Sequence, residues 1–429
     1  MTSPPICALA RLRRDLRYLV ACQGREARKV KIKKYVLQVS RIAGKVPTMF
    51  SRIIKAPSGS FFLLGPRGTG KSTWISEHFS GARTYDLLDH SECLRLERDP
   101  HQLGRELELL DPESWVVIDE VQKVPALLDE VHRLIEKRRL RFVLCGSSAR
   151  KLKRSGANLL AGRAEVVRLN PLLSVELRDR FDTERAMLFG TLPKAVLEAD
   201  AKGFLLAYAA LYLNEEIRAE ALTRNVGAFS RFLEVAARQN GQVTNISNIA
   251  REAGVGRTTV QNYFEILVDT LLGYWLQPWK LKPGNKQVAH PKFYLFDSGV
   301  ARALSGRLAY APTPEECGPL LETLVGNEIR SYLERHHPGW RMNFWRTHDD
   351  VEVDFLVETD WGYAAVEVKA SSTWRNQYGL GLKKLREELE PREVRTFGVF
   401  RGPQAAKFGK IEVLPVVEFL SRLWSGRVI

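Results

Sequence analysis

The sequence predicts an α/β protein in which a parallel sheet wrapped by helices is followed by a helical region and then by a strand-rich C-terminal unit. Short apolar runs alternate with helical patterns between residues 61 and 146, and this alternation is typical of a parallel sheet with helices on its faces. From residue 176 to 240 the pattern is helical, with few strand candidates. Strand-like alternation returns in the last third of the chain.

Four apolar runs carry the strand predictions for the first sheet. Each run is short and is bounded by glycine or polar residues, as buried strands usually are. We predict strands at Phe61–Leu64, Thr84–Leu87, Trp115–Ile118 and Arg141–Gly146. The segments between them have helical patterns, and we predict helices at Thr73–Phe79, Ser91–Leu110 and Pro125–Arg138.

A glycine-rich loop separates the first strand from the first helix. Residues 65–72 read GPRGTGKS, which fits the pattern GxxxxGK[ST] of a phosphate-binding loop, or P-loop. Glycines let backbone N–H groups curve around phosphate oxygens, and the lysine supplies a positive charge. A structural glycine loop is the alternative, but the strand before it and the helix after it favour phosphate binding. The predicted nucleotide-binding residues are Gly65, Pro66, Arg67, Gly68, Thr69, Gly70, Lys71, Ser72 and Thr73, with Lys71 also in a catalytic role.

Two carboxylates, Asp119 and Glu120, follow the third predicted strand directly. They emerge at the carboxyl end of the strand, where ligands bind in open α/β sheets. Asp119 suits the Mg²⁺ shell together with Ser72, and Glu120 suits the orientation and deprotonation of an attacking water. The alternative is an acidic pair that stabilises a helix N-terminus through the helix dipole. The sequence therefore predicts ATP and Mg²⁺ as cofactors.

At this point the chain resembles the AAA+ ATPases, and more narrowly a widespread prokaryotic family that joins such an ATPase to a C-terminal domain of unknown function. The matching segments are GPRGTGKS, VVIDEVQKVP, FVLCGSS and LLAGRAEVVRLNPLLSVEL. The resemblance implies that Ser147 is at the sensor position and that Arg163 is an arginine finger that acts across a subunit boundary. Arg141 and Arg150 are rivals for that role, and a solvated arginine is the alternative. The resemblance also implies a homo-oligomer, with a hexameric ring as one arrangement.

Two short amphipathic segments, Ile246–Val255 and Thr258–Leu267, are joined by a glycine turn with helix-turn-helix spacing. We expect the second to be a recognition helix, followed by the start of a wing at Gly273–Leu276. Helix-turn-helix folds also serve as lids and protein-contact modules in AAA+ proteins, so the fold leaves both roles open. The residues expected to face DNA are Arg257, Thr258, Thr259, Gln261 and Asn262, and those expected to pack inward are Val260, Phe264 and Leu267.

Strand-like alternation in Val351–Glu358 and Ala365–Ala370 predicts a hairpin. Period two places Glu367 and Lys369 on one face, and Asp354 on the paired strand is then near enough to share a divalent cation with Glu367. Two carboxylates and a lysine suit metal-assisted phosphodiester hydrolysis.

The spacing D-x12-ExK resembles the PD-(D/E)XK nuclease fold, although no proline precedes Asp354. In that resemblance Glu322 or Glu328, on a predicted helix at Leu321–Leu333, is the first acidic residue. Lys383 or Lys384 adds a phosphate contact. The alternative is a solvent-facing hairpin whose charges pair with neighbours, and an inactive nuclease-like unit would still bind a nucleic-acid backbone.

Net charge and cysteine content indicate which partners and which cellular compartment to expect. The 429 residues carry a formal charge of +15, and residues 1–48 hold 12 Lys and Arg against 2 Asp and Glu, or +10. This basic segment is either a solvated tail that contacts nucleic acid or an extension upstream of a natural start at Met49. The sequence has no stretch of 18 apolar residues and no CxxC pair, which predicts no membrane partner and a cytoplasmic protein. The five cysteines are Cys7, Cys22, Cys93, Cys145 and Cys317.

Residues and resemblances together predict four regions. They are a basic extension at 1–48, a P-loop AAA+ core with a parallel sheet at 49–180, a helical lid with a winged-helix-like unit at 181–285, and a C-terminal α/β restriction-endonuclease-like domain at 286–429. The leading functional hypothesis is an ATP-hydrolysing motor that remodels or translocates DNA, branched DNA included. The alternatives are an ATP-gated, metal-dependent DNA nuclease in defence and an ATP-dependent switch that binds protein or DNA with little turnover.

Overall fold

The computed structural model describes residues 50–148, 160, 162–212, 225–280 and 290–429. Within these ranges the first sheet has five strands in the order β2-β3-β4-β1-β5, and every neighbouring pair is parallel. The prediction of a parallel sheet is confirmed, and β1 and β4 have the predicted bounds. The strands are β1 (Phe61–Leu64), β2 (Arg83–Asp86), β3 (Trp115–Asp119), β4 (Arg141–Gly146) and β5 (Glu165–Arg168).

Both faces of this sheet are covered by apolar side chains. Along β1, Phe62 and Leu64 belong to one buried cluster, whereas Phe61 and Leu63 belong to another. This division follows from the two-residue period of a strand, and burial on both faces explains why the strand sequences are continuously apolar. The exceptions are the two edge strands: β2 is exposed at three of its four residues, and in β5 Val166 is 59% exposed. The mixed sequence of β5 did not predict a strand.

Helices connect these strands: α1 (Lys71–His78), α2 (His90–Arg98), α3 (His101–Glu106) and α4 (Leu127–Arg138). The single helix predicted at Ser91–Leu110 is wrong, because α2 ends before Pro100 and α3 begins after it. Proline disfavours helical conformation in the residue before it and cannot donate a helical hydrogen bond.

The region after the first sheet is helical, as predicted. Its elements are α5 (Ser174–Leu177), α6 (Thr183–Phe189), α7 (Pro193–Leu197), α8 (Ala201–Ala207), a π-helical segment at Tyr208–Tyr212, and α9 (Val226–Arg238).

The helix-turn-helix prediction agrees with α10 (Ile246–Ala253) and α11 (Arg257–Asp269). Gly254 takes a left-handed conformation between them, with φ 67°. Val260, Phe264 and Leu267 are buried, as predicted.

The C-terminal sheet has eight strands among the described residues, in the order β12-β13-β11-β10-β9-β8-β6-β7. The strands β6 (Gly273–Pro278) and β7 (Lys292–Leu295) pair antiparallel across the predicted 285/286 boundary, so the sheet spans it. The remaining strands are β8 (Met342–Arg346), β9 (Glu352–Glu358), β10 (Tyr363–Lys369), β11 (Val394–Phe400), β12 (Ala406–Phe408) and β13 (Ile411–Pro415).

The helices that follow β7 and pack with this sheet are α12 (Ser298–Leu304), α13 (Pro314–His336), α14 (Leu380–Leu389) and α15 (Val416–Trp424). One apolar core runs from Ala186 to Ile429 and joins the helical region to the C-terminal sheet. No helix in the described ranges combines the length and apolarity that a membrane crossing needs.

Candidate functional site

The glycine loop lies at the carboxyl edge of the first sheet, between β1 and α1. Gly68 and Gly70 have φ angles of 78° and 92°, which L-residues rarely adopt. A Cβ on Gly65 would overlap the carbonyl oxygen of Leu169. The path of the backbone and its packing therefore require glycine at these positions.

Lys71 is the first residue of α1, and its side chain turns back into the loop. The ammonium Nζ donates to the carbonyl oxygens of Gly65, at 2.8 Å, and Pro66, at 3.1 Å, and the residue is only 7% exposed. Thr69 Oγ1 also donates to the Pro66 oxygen, at 2.8 Å. A positive charge thus lies beside the N-terminus of a helix, where backbone N–H groups and the helix dipole already favour an anion.

The two predicted Mg²⁺ ligands are adjacent. Ser72 Oγ donates to Asp119 Oδ2 at 3.1 Å, and Asp119 Oδ1 accepts from the Glu120 N–H at 2.9 Å. A hydroxyl and a carboxylate are hard oxygen ligands, and Mg²⁺ completes such a pair with phosphate oxygens and water. The side chains present therefore fit a Mg²⁺ ion that accompanies a nucleotide.

Glu120 is held by a small hydrogen-bonded network. Ser147 Oγ donates to Glu120 Oε2 at 3.2 Å, and Gln122 Nε2 donates both to the same carboxylate oxygen and to Ser147 Oγ, the latter at 3.3 Å. Glu120 itself has a left-handed backbone, with φ 56°, which is uncommon for a non-glycine residue and occurs often at active sites. The structure thus brings Ser147 to Glu120. Sequence reasoning missed Gln122, although its position two residues after Glu120 was a usable signal.

A buried ion pair supports the glycine loop and was not predicted. Arg52 donates from Nε to Glu176 Oε1 at 3.0 Å, from Nη1 to the Thr69 carbonyl at 2.7 Å, and from Nη2 to the Asn170 carbonyl at 2.6 Å. The two charged side chains are 6% and 0% exposed. Glu176 Oε1 also accepts from the Ile53 N–H, at 2.9 Å. Because 124 residues separate the pair in sequence, no local motif could reveal it.

The helical region contacts the glycine loop. Tyr208 Oη donates to the Arg67 carbonyl at 3.0 Å. A Cβ on Gly68 would lie 3.5 Å from the Tyr208 ring, and one on Gly70 would lie 3.9 Å from Pro193. Tyr208 begins the π-helical segment, and such segments are frequent at functional sites. The helical region therefore contacts the glycine loop directly.

Arg163 lies away from the glycine loop of its own chain. It precedes β5, whose first residue Glu165 pairs with Phe61 at the start of β1, whereas the loop follows the end of β1. The Arg163 guanidinium pairs with Glu136 near the end of α4. A finger role would therefore serve a neighbouring subunit. The rival Arg141 begins β4 and pairs with Glu113 at 2.8 Å, and the rival Arg150 lies outside the described residues.

The C-terminal hairpin brings together three of the predicted charged residues. Asp354 Oδ2 accepts from the Val368 N–H at 2.8 Å, and the Lys369 ammonium pairs with the Glu367 carboxylate. Burial raises the pKa of Glu367 above its usual range, and the Asp354 carboxylate adds to the effect. Burial and Asp354 likewise raise the pKa of Glu322. Glu322 belongs to the same cluster, because its Oε2 lies 3.9 Å from the Nζ of Lys292, a lysine that also contacts Asp354.

Glu328 does not belong to this cluster, so that alternative for the first acidic residue is wrong. It accepts from Ser174 N at 2.6 Å, from Ser174 Oγ at 3.0 Å and from Trp424 Nε1 at 2.6 Å. Six residues correspond to about 1.7 turns of α-helix, which places Glu328 on a different face of α13 from Glu322. Of the predicted phosphate contacts, Lys383 and Lys384 are exposed on α14, and Lys384 lies 3.6 Å from Asp349.

A buried lysine that sequence reasoning missed lies among the carboxylates. Lys292, on β7, pairs with Glu352, and its Nζ lies 3.8 Å from Asp354 Oδ1 and 3.9 Å from Glu322 Oε2. Burial opposes its charge, but the three carboxylates outweigh burial and raise its pKa. Within the described ranges, no group of three or more His, Cys, Asp and Glu side chains is arranged to hold a metal ion. The predicted nuclease metal site and the nuclease-like fold remain predictions.

The helix α11, which the sequence predicts to be a recognition helix, exposes most of its predicted polar face to solvent. Arg257, Thr258, Gln261 and Asn262 are exposed, and Thr259 is half-buried.

Comparisons with known proteins cover most of the chain. A family model described as an AAA domain matches residues 58–177. This chain contains an AAA domain. The glycine loop, Asp119, Glu120 and Ser147 all lie within the AAA domain, which bears out the ATPase part of the resemblance. Two further models follow it, Domain of unknown function (DUF8612) at 180–310 and Domain of unknown function (DUF4143) at 317–419.

The chain is similar to uncharacterized proteins of Mycobacterium bovis and Mycobacterium tuberculosis, each 28% identical over 321 residues, or 72% of this chain and 70% of the relative. Among solved structures, the Aeropyrum pernix ORC1 protein in complex with DNA covers 59% of this chain and 87% of its own, with 14% identity and a TM-score of 0.24. A Signal Transduction ATPase with Numerous Domains protein from Pyrococcus horikoshii covers 68% and 49%, with 13% identity and a TM-score of 0.21. Both TM-scores are too low to indicate a shared fold.

Proposed function

We propose that this chain binds and hydrolyses ATP with Mg²⁺ at its AAA domain and couples hydrolysis to the remodelling or movement of DNA. The observation that carries the first part is the Lys71 ammonium inside the glycine loop, next to a Ser72 hydroxyl that lies 3.1 Å from the Asp119 carboxylate. Cation, helix N-terminus and oxygen ligands are the groups that a triphosphate with Mg²⁺ requires.

Different residues of the AAA domain have different roles in ATP hydrolysis. The loop amides and Lys71 bind the phosphates, and Lys71 exchanges its carbonyl partners for phosphate oxygens. Ser72 and Asp119 hold Mg²⁺, which neutralises charge on the phosphates. Glu120 orients a water and accepts its proton, and Ser147 keeps the Glu120 carboxylate in position. The hydrogen bond between Ser147 and Glu120 supports a sensor role for Ser147.

DNA is the proposed partner because of the helix-turn-helix. Four polar side chains near the start of α11, Arg257, Thr258, Gln261 and Asn262, are exposed. Side chains at this end of a recognition helix reach base edges in the major groove, and arginine and glutamine are suited to guanine and adenine. The position of Arg163, away from its own glycine loop, supports a homo-oligomer in which it completes a neighbour's site.

The two alternatives have weaker support. A metal-dependent nuclease needs a cation among the C-terminal carboxylates, but the Lys292 ammonium lies there. A switch without turnover needs no general base, whereas Glu120 is held by Ser147 next to the proposed Mg²⁺ ligand Asp119.

The test is ATP hydrolysis measured with no DNA and with single-stranded, duplex and four-way DNA. Wild type should hydrolyse ATP faster with at least one DNA, and Lys71→Ala should lose hydrolysis under all conditions. Lys137→Ala is the matched control, because Lys137 is an exposed lysine of the same domain on α4. DNA integrity is checked on a gel from the same reactions, since cleavage would favour the nuclease alternative. Equal rates for wild type and Lys71→Ala would refute the proposed site.

A further inference from the structure

Gln122 lies beside the general base that we propose for ATP hydrolysis. It belongs to a short 3₁₀ turn at Val121–Lys123, which follows β3 and Glu120 directly, and it is 4% exposed. Glu120 starts this turn with its left-handed backbone, at φ 56°. The turn brings the amide group of Gln122 into contact with the Glu120 carboxylate.

The two oxygens of the Glu120 carboxylate have different surroundings. Oε2 accepts from Gln122 Nε2 and from Ser147 Oγ, the latter at 3.2 Å. Gln122 Nε2 also donates to Ser147 Oγ, at 3.3 Å, so the three side chains form a closed triangle. Oε1 has no hydrogen-bond partner within the part of the chain that the structure describes. Two donors thus fix Oε2, and Oε1 is the oxygen that is left to accept a proton.

Packing against β4 determines which way the Gln122 amide faces. Gln122 Oε1 is buried and has no hydrogen-bond partner among the described residues. A Cβ on Gly146, the last residue of β4, would lie 2.5 Å from this atom, so the glycine leaves room for it. Turning the amide over would point its oxygen at the Glu120 carboxylate, which is also an acceptor. A buried oxygen without a donor is unfavourable, and such exceptions are expected where a side chain serves a functional site.

We propose that Gln122 is a positioning residue for ATP hydrolysis: with Ser147 it holds Glu120 Oε2, so that Oε1 faces the attacking water. As the water oxygen bonds to the γ-phosphorus, its proton passes to Oε1, and the bond from that phosphorus to the ADP oxygen breaks. This inference rests on the proposed function, since it needs Glu120 to be the general base. Gln122 acts through Glu120, so its loss should lower kcat and leave KM for ATP unchanged.

The test measures ATP hydrolysis and ATP binding by full-length wild type and Gln122→Met. Methionine is similar in length to glutamine and has no N–H donor. We expect kcat to fall at least about tenfold, because a positioned general base contributes about 10²–10⁴-fold. KM and the affinity for ATP with Mg²⁺ should stay within about twofold of wild type. Gln102→Met is the matched control, because Gln102 is a glutamine of the same domain that accepts from Arg95, and it should hydrolyse ATP like wild type.

A second variant gives a readout that packing alone would not change. In Gln122→Glu the introduced carboxyl group can donate to Glu120 only while it is protonated, and the neighbouring Glu120 carboxylate raises its pKa. The ratio of its kcat to that of wild type should therefore fall at least about fivefold as the pH rises from about 5.5 to about 8.5. The same ratio for Gln122→Met should not change with pH. Folding of each variant is checked by circular dichroism at both pH values.

The outcomes separate this inference from the proposed function. A wild type that does not hydrolyse ATP, or a Glu120→Gln variant as fast as wild type, would overturn both. Slow hydrolysis by Glu120→Gln together with the wild-type rate in Gln122→Met would overturn the role of Gln122 alone, as would an equal loss in Gln102→Met. If Gln122→Met does not fold, Gln122→Glu decides, and a kcat ratio that is the same at both pH values would overturn the proposal.

Discussion

Replacing Arg52 with methionine should weaken ATP binding even though Arg52 is not among the phosphate-binding residues. Its guanidinium joins the Thr69 carbonyl of the glycine loop, at 2.7 Å, to the Glu176 carboxylate, at 3.0 Å. Hydrogen bonds that involve a charged group contribute about 1.5–3 kcal/mol, and 1.4 kcal/mol is a factor of about ten in affinity. Loss of the bond to Thr69 should therefore weaken ATP binding by about tenfold to a hundredfold.

The same substitution should also lower stability, and a matched variant separates the two effects. Removing one partner of a buried ion pair costs about 3–5 kcal/mol. Arg335 is the control, because it is a half-buried arginine that donates to the neighbouring Ile53 carbonyl, at 2.7 Å, and has no hydrogen bond to the glycine loop in the described structure. Both Arg52→Met and Arg335→Met should unfold at lower temperature, but only Arg52→Met should bind a fluorescent ATP analogue more weakly. Arg52→Met with ATP affinity within about twofold of wild type would refute the proposed support of the loop.

Three further predictions concern catalysis, DNA and acid stability. Glu120→Gln should bind ATP normally but release phosphate at least about a hundredfold more slowly, because it lacks the general base; unchanged phosphate release would remove Glu120 from the mechanism. The double variant Arg257→Ala/Gln261→Ala should bind duplex DNA at least about tenfold more weakly than wild type in fluorescence anisotropy at fixed salt. Equal affinity would mean that DNA does not bind at this helix. The Arg133 guanidinium holds the pKa of Glu130 below its ordinary 4.5. The ionised Glu130 carboxylate therefore stabilises the fold above pH 4.5, and this stabilisation is lost as the pH falls below that value. Between pH 5 and pH 3.5 the melting temperature of Glu130→Gln should fall less than that of wild type, and an equal fall would contradict this reasoning.

The parts of the fold that could be predicted are those fixed by local sequence. The strands β1 and β4 are buried on both faces, so their continuous apolar runs marked them. The glycine loop was recognisable because its whole pattern lies in eight consecutive residues, 65–72. By contrast, β5 has charged residues at both ends and an exposed Val166, so nothing in its four residues distinguished it from a loop.

The candidate sites were predicted in outline, but their supporting residues were not. Asp119 and Glu120 could be assigned because they are the two residues that follow the predicted strand Trp115–Ile118. Arg52 and Lys292 could not, because their partners are distant in sequence and become neighbours only when separate elements pack. In the sequence, Lys292 is simply a lysine at the start of a short apolar strand. Only the folded structure shows that the carboxylates of α13 and β9 surround its ammonium group.

The central claim is that the Lys71 ammonium and the glycine loop form the ATP site. The most direct measurement is the affinity of ATP with Mg²⁺ for wild type, Lys71→Ala and the control Lys137→Ala, by isothermal titration calorimetry. We expect one ATP per chain for wild type and the control, and affinity at least about tenfold weaker for Lys71→Ala, because a charge-assisted contact to phosphate is lost. Equal affinity for all three proteins would contradict the account.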